Sequence, residues 1–149
     1  MFSIGQLSRR TGVKVPTIRF YEEKGLVPVP ERSEGNQRRY DKAALDRLSF
    51  IRHARDLGLP LADIAALISL EGASGARLNE AHEIARRQRD GLRERIARLK
   101  RLEQELDRIA GACDGHHGNA EDGPVCAVLH AFADHDACAG EHGGVSLPS

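Results

Sequence analysis

The chain has 149 residues, carries 22 Lys or Arg against 22 Asp or Glu, and contains six aromatic residues, none of them Trp. That length is short for a two-lobed enzyme, and a core short of aromatics must be built from Leu, Ile, Val and Ala, which favours helix. The zero net charge hides a dipole: residues 1–60 hold twelve Lys or Arg against seven Asp or Glu, whereas the last 37 residues hold all three Cys, five of the seven His and no Lys or Arg. A basic front suits a polyanion, and a sulfur-bearing back suits a cation.

Ile4 to Thr11 has the spacing of a short helix with Ile4 and Leu7 inward, Ser3 as N-cap and Gly12 just past its end. After a turn through Val13 to Val15, Pro16 fits the first turn of a second helix, Thr17 to Lys24, with Ile18 and Phe20 packing inward and Gly25 ending it. Residues 26–40 carry two prolines and the turn signal Ser33-Glu34-Gly35-Asn36, which predicts a small hairpin or wing. Asp41 then caps a third helix running to about Leu57, with Leu45, Leu48, Phe50 and Ile51 available to the core and Gly58 as its stop. Pro60 opens a fourth helix ending near Leu70, and residues 71–76 are a hinge by composition.

From residue 77 to 112 the pattern is one long helix, whose apolar positions Leu92, Ile96, Leu99, Leu102, Leu106, Ile109 and then Cys113 step by three or four. Some 35 helical residues span roughly 50 Å, more than a small domain covers with its own side chains. A coiled-coil homodimer through this helix is the economical expectation. Residues 113–132 read as a loop followed by a short helix over Val125 to Phe132, and 133–149 as a disordered tail.

The second helix presents Lys14, Thr17, Arg19, Tyr21 and Lys24 near one edge, and the wing adds Arg32, Arg38, Arg39 and Tyr40. Arginines interleaved with aromatics at this spacing suit phosphate clamping and base reading; the bland alternative is a helical hairpin with a solvated basic face. Three motifs carry a resemblance: Ile4-Gly5-Gln6-Leu7, Thr17-Ile18-Arg19-Phe20-Tyr21-Glu22-Glu23-Lys24-Gly25-Leu26, and Phe50-Ile51-Arg52-His53-Ala54-Arg55 with Leu57-Gly58. With the stretch Arg32 to Tyr40, they resemble the mercury-resistance regulator (MerR) family of bacterial transcription factors. The resemblance covers residues 1 to about 130 and is most specific in the first 70.

What it implies is a mainly α fold: a winged helix-turn-helix head over 1–70, a long antiparallel coiled-coil dimerisation helix, and a short C-terminal metal loop and helix. It implies that Arg19 and Tyr21 on the recognition helix, and Arg32, Arg38 and Tyr40 around the wing, touch DNA, with Lys14 and Thr17 as further contacts and Phe20 in the core. It also implies a mechanism in which the effector-bound dimer bends and untwists a promoter spacer so that RNA polymerase meets both recognition elements.

The start Met1-Phe2-Ser3-Ile4-Gly5 lacks a basic segment followed by an apolar stretch, and no run of about 18 apolar residues occurs, so a cytosolic protein without membrane contact is expected. Thiols stay reduced there and read as metal ligands or redox groups before disulfides. Cys113 and Cys126 flank a twelve-residue loop that carries His116 and His117, and this matches the family's metal loop. Thiolate and imidazole donors suit Zn(II), Cd(II) or Co(II), and two thiolates alone suit Cu(I). Divalent-sensing members resemble one another in a third cysteine near the start of the dimer helix, and Leu78, with Asn79 beside it, stands there in this chain.

Zinc is the favoured ion, with His116 or His117 in place of the missing thiolate. Cys138 and His82 are further candidate ligands. The rival effector reading is a thiol redox sensor, and a different class is a metal-buffering protein that needs the tail and no head. An enzyme is not expected, because the thiols lack a paired base and no phosphate-cradling glycine loop occurs.

Overall fold

The computed structural model describes residues 1–112 and 127–133. Its order is α1 (Ile4–Thr11), α2 (Val15–Glu23), β1 (Glu31–Arg32), β2 (Arg38–Arg39), α3 (Lys42–Asp56), α4 (Leu61–Ser69), α5 (Asn79–Ala110) and α6 (Ala127–Ala133), with a 3₁₀ turn over Gly75–Leu78. This is the expected mainly helical architecture with a two-stranded wing and one long helix. Residues Met1–Gln88 form one compact unit, and the described residues from Arg89 onward belong to a second.

Local chemistry sets the helix ends in the first unit. Ser3 Oγ accepts from the Gln6 N–H at 3.2 Å while Gln6 Oε1 accepts from the Ser3 N–H at 2.8 Å, a reciprocal capping box that fixes the start of α1. Gly12 ends α1 with φ +72°, a left-handed conformation that favours glycine, and leaves room for Arg52 Nη1, which a Cβ there would approach to 2.8 Å. Arg52 uses that proximity to donate to the Gly12 carbonyl at 3.0 Å, tying α3 to the turn. Pro16 lies in the first turn of α2, and the Asp41 carboxylate accepts the Ala44 N–H at 2.8 Å to cap α3.

The core gathers Leu7, Ile18, Val27, Tyr40, Leu48, Ile51 and Ile64, with Ile84 from the first turns of α5. Each large side chain taken from water contributes about 1.5–3 kcal/mol. Where the sequence places the hinge and the end of the head at 71–76, the first compact unit continues to Gln88. The reason is a set of contacts from α5: Ile84 enters the core, Arg87 pairs with Asp63 at 2.8 Å, and Gln88 Nε2 donates to the Leu57 carbonyl at 3.0 Å.

The wing is an antiparallel pair with Glu31 opposite Arg39 and Arg32 opposite Arg38. Its turn is closed by Asn36 N–H to the Ser33 carbonyl at 2.8 Å, and Asn36 takes φ +59°, a left-handed conformation asparagine tolerates. Tyr40 extends the wing into an antiparallel bridge with Phe2, through hydrogen bonds of 2.9 and 2.7 Å, which seats β2 against the N-terminal segment.

Two inward assignments are corrected. Phe20 is 39% exposed and Tyr21 is buried, because with Ile18 inward the helical period brings residues 21 and 22 to the same face and turns residue 20 away. Phe50 is exposed for the same reason, beside buried Leu48 and Ile51. α2 starts at Val15, two residues before Thr17, since Lys14 already has the extended conformation of an N-cap.

In the second unit, α5 continues from Arg89 to Ala110 and exposes Leu92, Ile96, Leu99 and Leu106. Ile109 is buried, and α6 exposes Leu129 and Phe132. No helix of the described residues is long and apolar enough to cross a membrane.

Candidate nucleic-acid interface and effector residues

Lys14 sits at the N-cap of α2 and Arg19 projects from its exposed side, while Thr17 is half-buried between them. Arg32 and Arg39 are exposed on the wing and Arg38 is half-buried. Arg19, Arg32 and Arg38 converge on one open cleft of about 440 Å³, completed by Ser3, Ile4, Asn36 and Gln37. Arg32 Nη1 donates to Asn36 Oδ1 at 2.7 Å, which steadies its guanidinium across the wing turn. Three guanidiniums around one cleft, with hydrogen-bonding side chains between them, form a site for an anionic backbone.

Two cations of the head lie over aromatic rings, exposed Phe20 and half-buried Phe2. Lys24 lies over the Phe20 ring at 5.6 Å and Arg10 over the Phe2 ring at 4.8 Å, so both cations are held by ring faces as well as by solvent. Phe20, expected in the core, is therefore a surface residue of the helix that carries Arg19.

The two tyrosines lie differently from the arginines. Tyr21 is 7% exposed and Tyr40 is 1% exposed, so both rings belong to the core, although the sequence places them among the DNA contacts. Tyr40 donates its hydroxyl to the Glu22 carboxylate in a short hydrogen bond. Burial raises the Tyr40 pKa well above its ordinary value of 10.0, and the hydrogen bond and charge of Glu22 push it the same way, against smaller opposing effects of Arg38 and Arg19.

Glu22 was not legible as a site residue in the sequence. It is buried, joins α2 to Tyr40, and brings its second carboxylate oxygen to 3.9 Å from Arg38 Nη2. The available signal was its position four residues after Ile18, on the stripe that faces the core.

Cys113, His116, His117, Cys126 and Cys138 lie outside the described residues. His82 is exposed near the start of α5, and Leu78, at the position of the family's third cysteine, is 43% exposed at the end of the 3₁₀ turn. Among the described residues no group of three or more His, Cys, Asp or Glu is placed to hold an ion.

Two family models match the chain: the MerR HTH family regulatory protein over residues 2–71, and the MerR DNA-binding model over residues 45–109. The mercuric resistance operon regulatory protein of Pseudomonas fluorescens is 38% identical over 131 residues, covering 88% of this chain and 89% of that protein. The HTH-type transcriptional regulator ZntR of Escherichia coli (strain K12) is 34% identical over 133 residues, covering 89% and 92%. Among solved structures, the transcription regulator PbrR691 from Ralstonia metallidurans CH34 in complex with lead(II) has a TM-score of 0.68 at 34% identity and covers 89% of this chain and 99% of its own. With a basic winged head and matches along nearly its whole length, the chain belongs to the MerR family of helix-turn-helix, DNA-binding regulatory proteins.

Proposed function

We propose that the chain is a metal-responsive transcriptional regulator that binds promoter DNA as a homodimer and activates transcription when Zn(II) occupies a site built from Cys113, Cys126 and His116 or His117. The observation that carries the DNA half is the cleft in which Arg19 of α2 and Arg32 and Arg38 of the wing converge. These arginines, with Lys14 and Thr17 at the start of α2, contact the duplex, and Tyr21 and Tyr40 support them from below. Support for the dimer comes from the exposed Leu92, Ile96, Leu99 and Leu106 of α5, an apolar stripe that a second copy covers.

The metal half rests on donor chemistry and on relatives whose names refer to mercury and whose solved neighbour holds lead. Thiolates flanking a loop with two imidazoles fit a borderline ion, and a Leu at residue 78 removes a third thiolate. Bound there, the ion would supply a crosslink between the end of α5 and the segment before α6. The second reading is Cu(I) held by Cys113 and Cys126 alone, favoured by the same apolar Leu78.

Effector binding shifts the dimer between two shapes, and the shape bound to metal bends and untwists the spacer, at a DNA deformation cost of about 1–6 kcal/mol. RNA polymerase then engages both promoter elements. Chemical footprinting of the spacer tests this: Zn(II) should produce new reactivity at its centre together with transcription. Activation with an unchanged spacer would rule the distortion mechanism out.

A further inference from the structure

Glu22 is the one buried charged side chain among the described residues. A carboxylate withdrawn from water is unfavourable unless it is compensated, and an apolar side chain would fill the same core-facing position of α2 without that cost. Its compensation comes from two side chains at the β2 end of the wing. One oxygen accepts the Tyr40 hydroxyl, and the other faces Arg38 Nη2 at 3.9 Å. Tyr40 is in turn bridged to Phe2 through its backbone and its ring is buried, so the side chain that carries the hydroxyl is held in place.

Arg38 is the wing residue that this arrangement constrains. Its side chain is partly exposed and lines the cleft with Arg19 and Arg32, so one edge of its guanidinium faces Glu22 while donors remain for the cleft. Three guanidiniums around one cleft repel one another, and the Glu22 carboxylate is a negative charge beside one of them. Glu22 therefore lies where one negative charge orients a cation without reaching the open face itself.

We infer that Glu22 is a positioning residue of the DNA interface: it holds Arg38 of the wing in register with Arg19 of the recognition helix, so that both elements present their cations as one set. This rests on the DNA-binding reading above.

The test uses the full-length protein and duplex DNA from the region upstream of its own gene, with dissociation constants measured between about 50 and about 200 mM salt. Glu22→Gln keeps the shape and an acceptor for Tyr40 but removes the charge facing Arg38. It is expected to weaken binding about tenfold and to reduce the magnitude of the salt slope by about one, as Arg38→Gln does, with the double variant losing no more. Glu22→Asp, which withdraws the carboxylate from Arg38, should change the slope in the same direction by less.

A role confined to the fold would lower the melting temperature of Glu22→Gln and leave the slope as in the wild type, which would overturn the inference. A steeper slope would overturn it too, since Glu22 would then be only a repulsive charge near the DNA, as would an unchanged slope in Arg38→Gln. If the wild type bound none of that DNA, the DNA-binding reading would fall and this inference with it. Wild-type binding with a slope sensitive to Arg38→Gln but not to Glu22→Gln would sink this inference alone.

Discussion

Arg19 and Tyr40 stand for the two kinds of residue in the head. Arg19 is exposed and lines the cleft. Arg19→Ala should weaken operator binding by about 1–3 kcal/mol while leaving the melting temperature nearly unchanged, which parallel binding and melting curves would check. Tyr40 is buried and donates to Glu22, so Tyr40→Phe leaves a carboxylate short of one partner and should cost about 1–3 kcal/mol of stability. The pH dependence follows from its raised pKa. The folded state favours the neutral phenol, so its contribution is complete below the unfolded-state value of 10.0 and is lost as pH rises past it. Denaturant titrations should therefore show wild-type stability falling above pH 10 more steeply than that of Tyr40→Phe; equal slopes would contradict the burial argument.

At the scale of elements, α1 and α3 were legible almost to the residue because their boundaries are written in local chemistry: Ser3 with Gln6, Gly12 at positive φ, and Asp41 at an N-cap. The wing was legible from Ser33 to Asn36 for the same reason. What the sequence hid depends on which side of a helix meets the core. Phe20 and Tyr21 are adjacent aromatics, either of which could fill a core, and the side on which Ile18 enters the core decides that residue 21 goes inside. Glu22 was hidden more deeply, since a charged residue reads as exposed until its partners on a distant strand are known.

The stripe on α5 makes its own prediction. Leu99 is 60% exposed in the single chain, so Leu99→Glu should shift the protein from dimer to monomer in sedimentation equilibrium while the helical head keeps its circular-dichroism signal. A dimer that survived this change would place the association surface elsewhere.

The whole molecule joins a DNA-binding head in residues 1–88 to a set of sulfur and imidazole donors beyond residue 112, in a chain whose family membership was legible from the motifs of its first 70 residues. The ion was less legible, because the relatives' names point to more than one metal and the donors of this chain differ at Leu78. Run-off transcription decides this most directly, with purified metal-free protein, RNA polymerase, the DNA beside its own gene, and buffered Zn(II), Cd(II), Co(II), Cu(I), Hg(II) and Pb(II) in turn. Transcript should appear with Zn(II) at the lowest free concentration and be lost in Cys113→Ser and in Cys126→Ser, although both variants still bind the DNA. DNA binding with no ion giving activation, or activation that survives both substitutions, would contradict this reading.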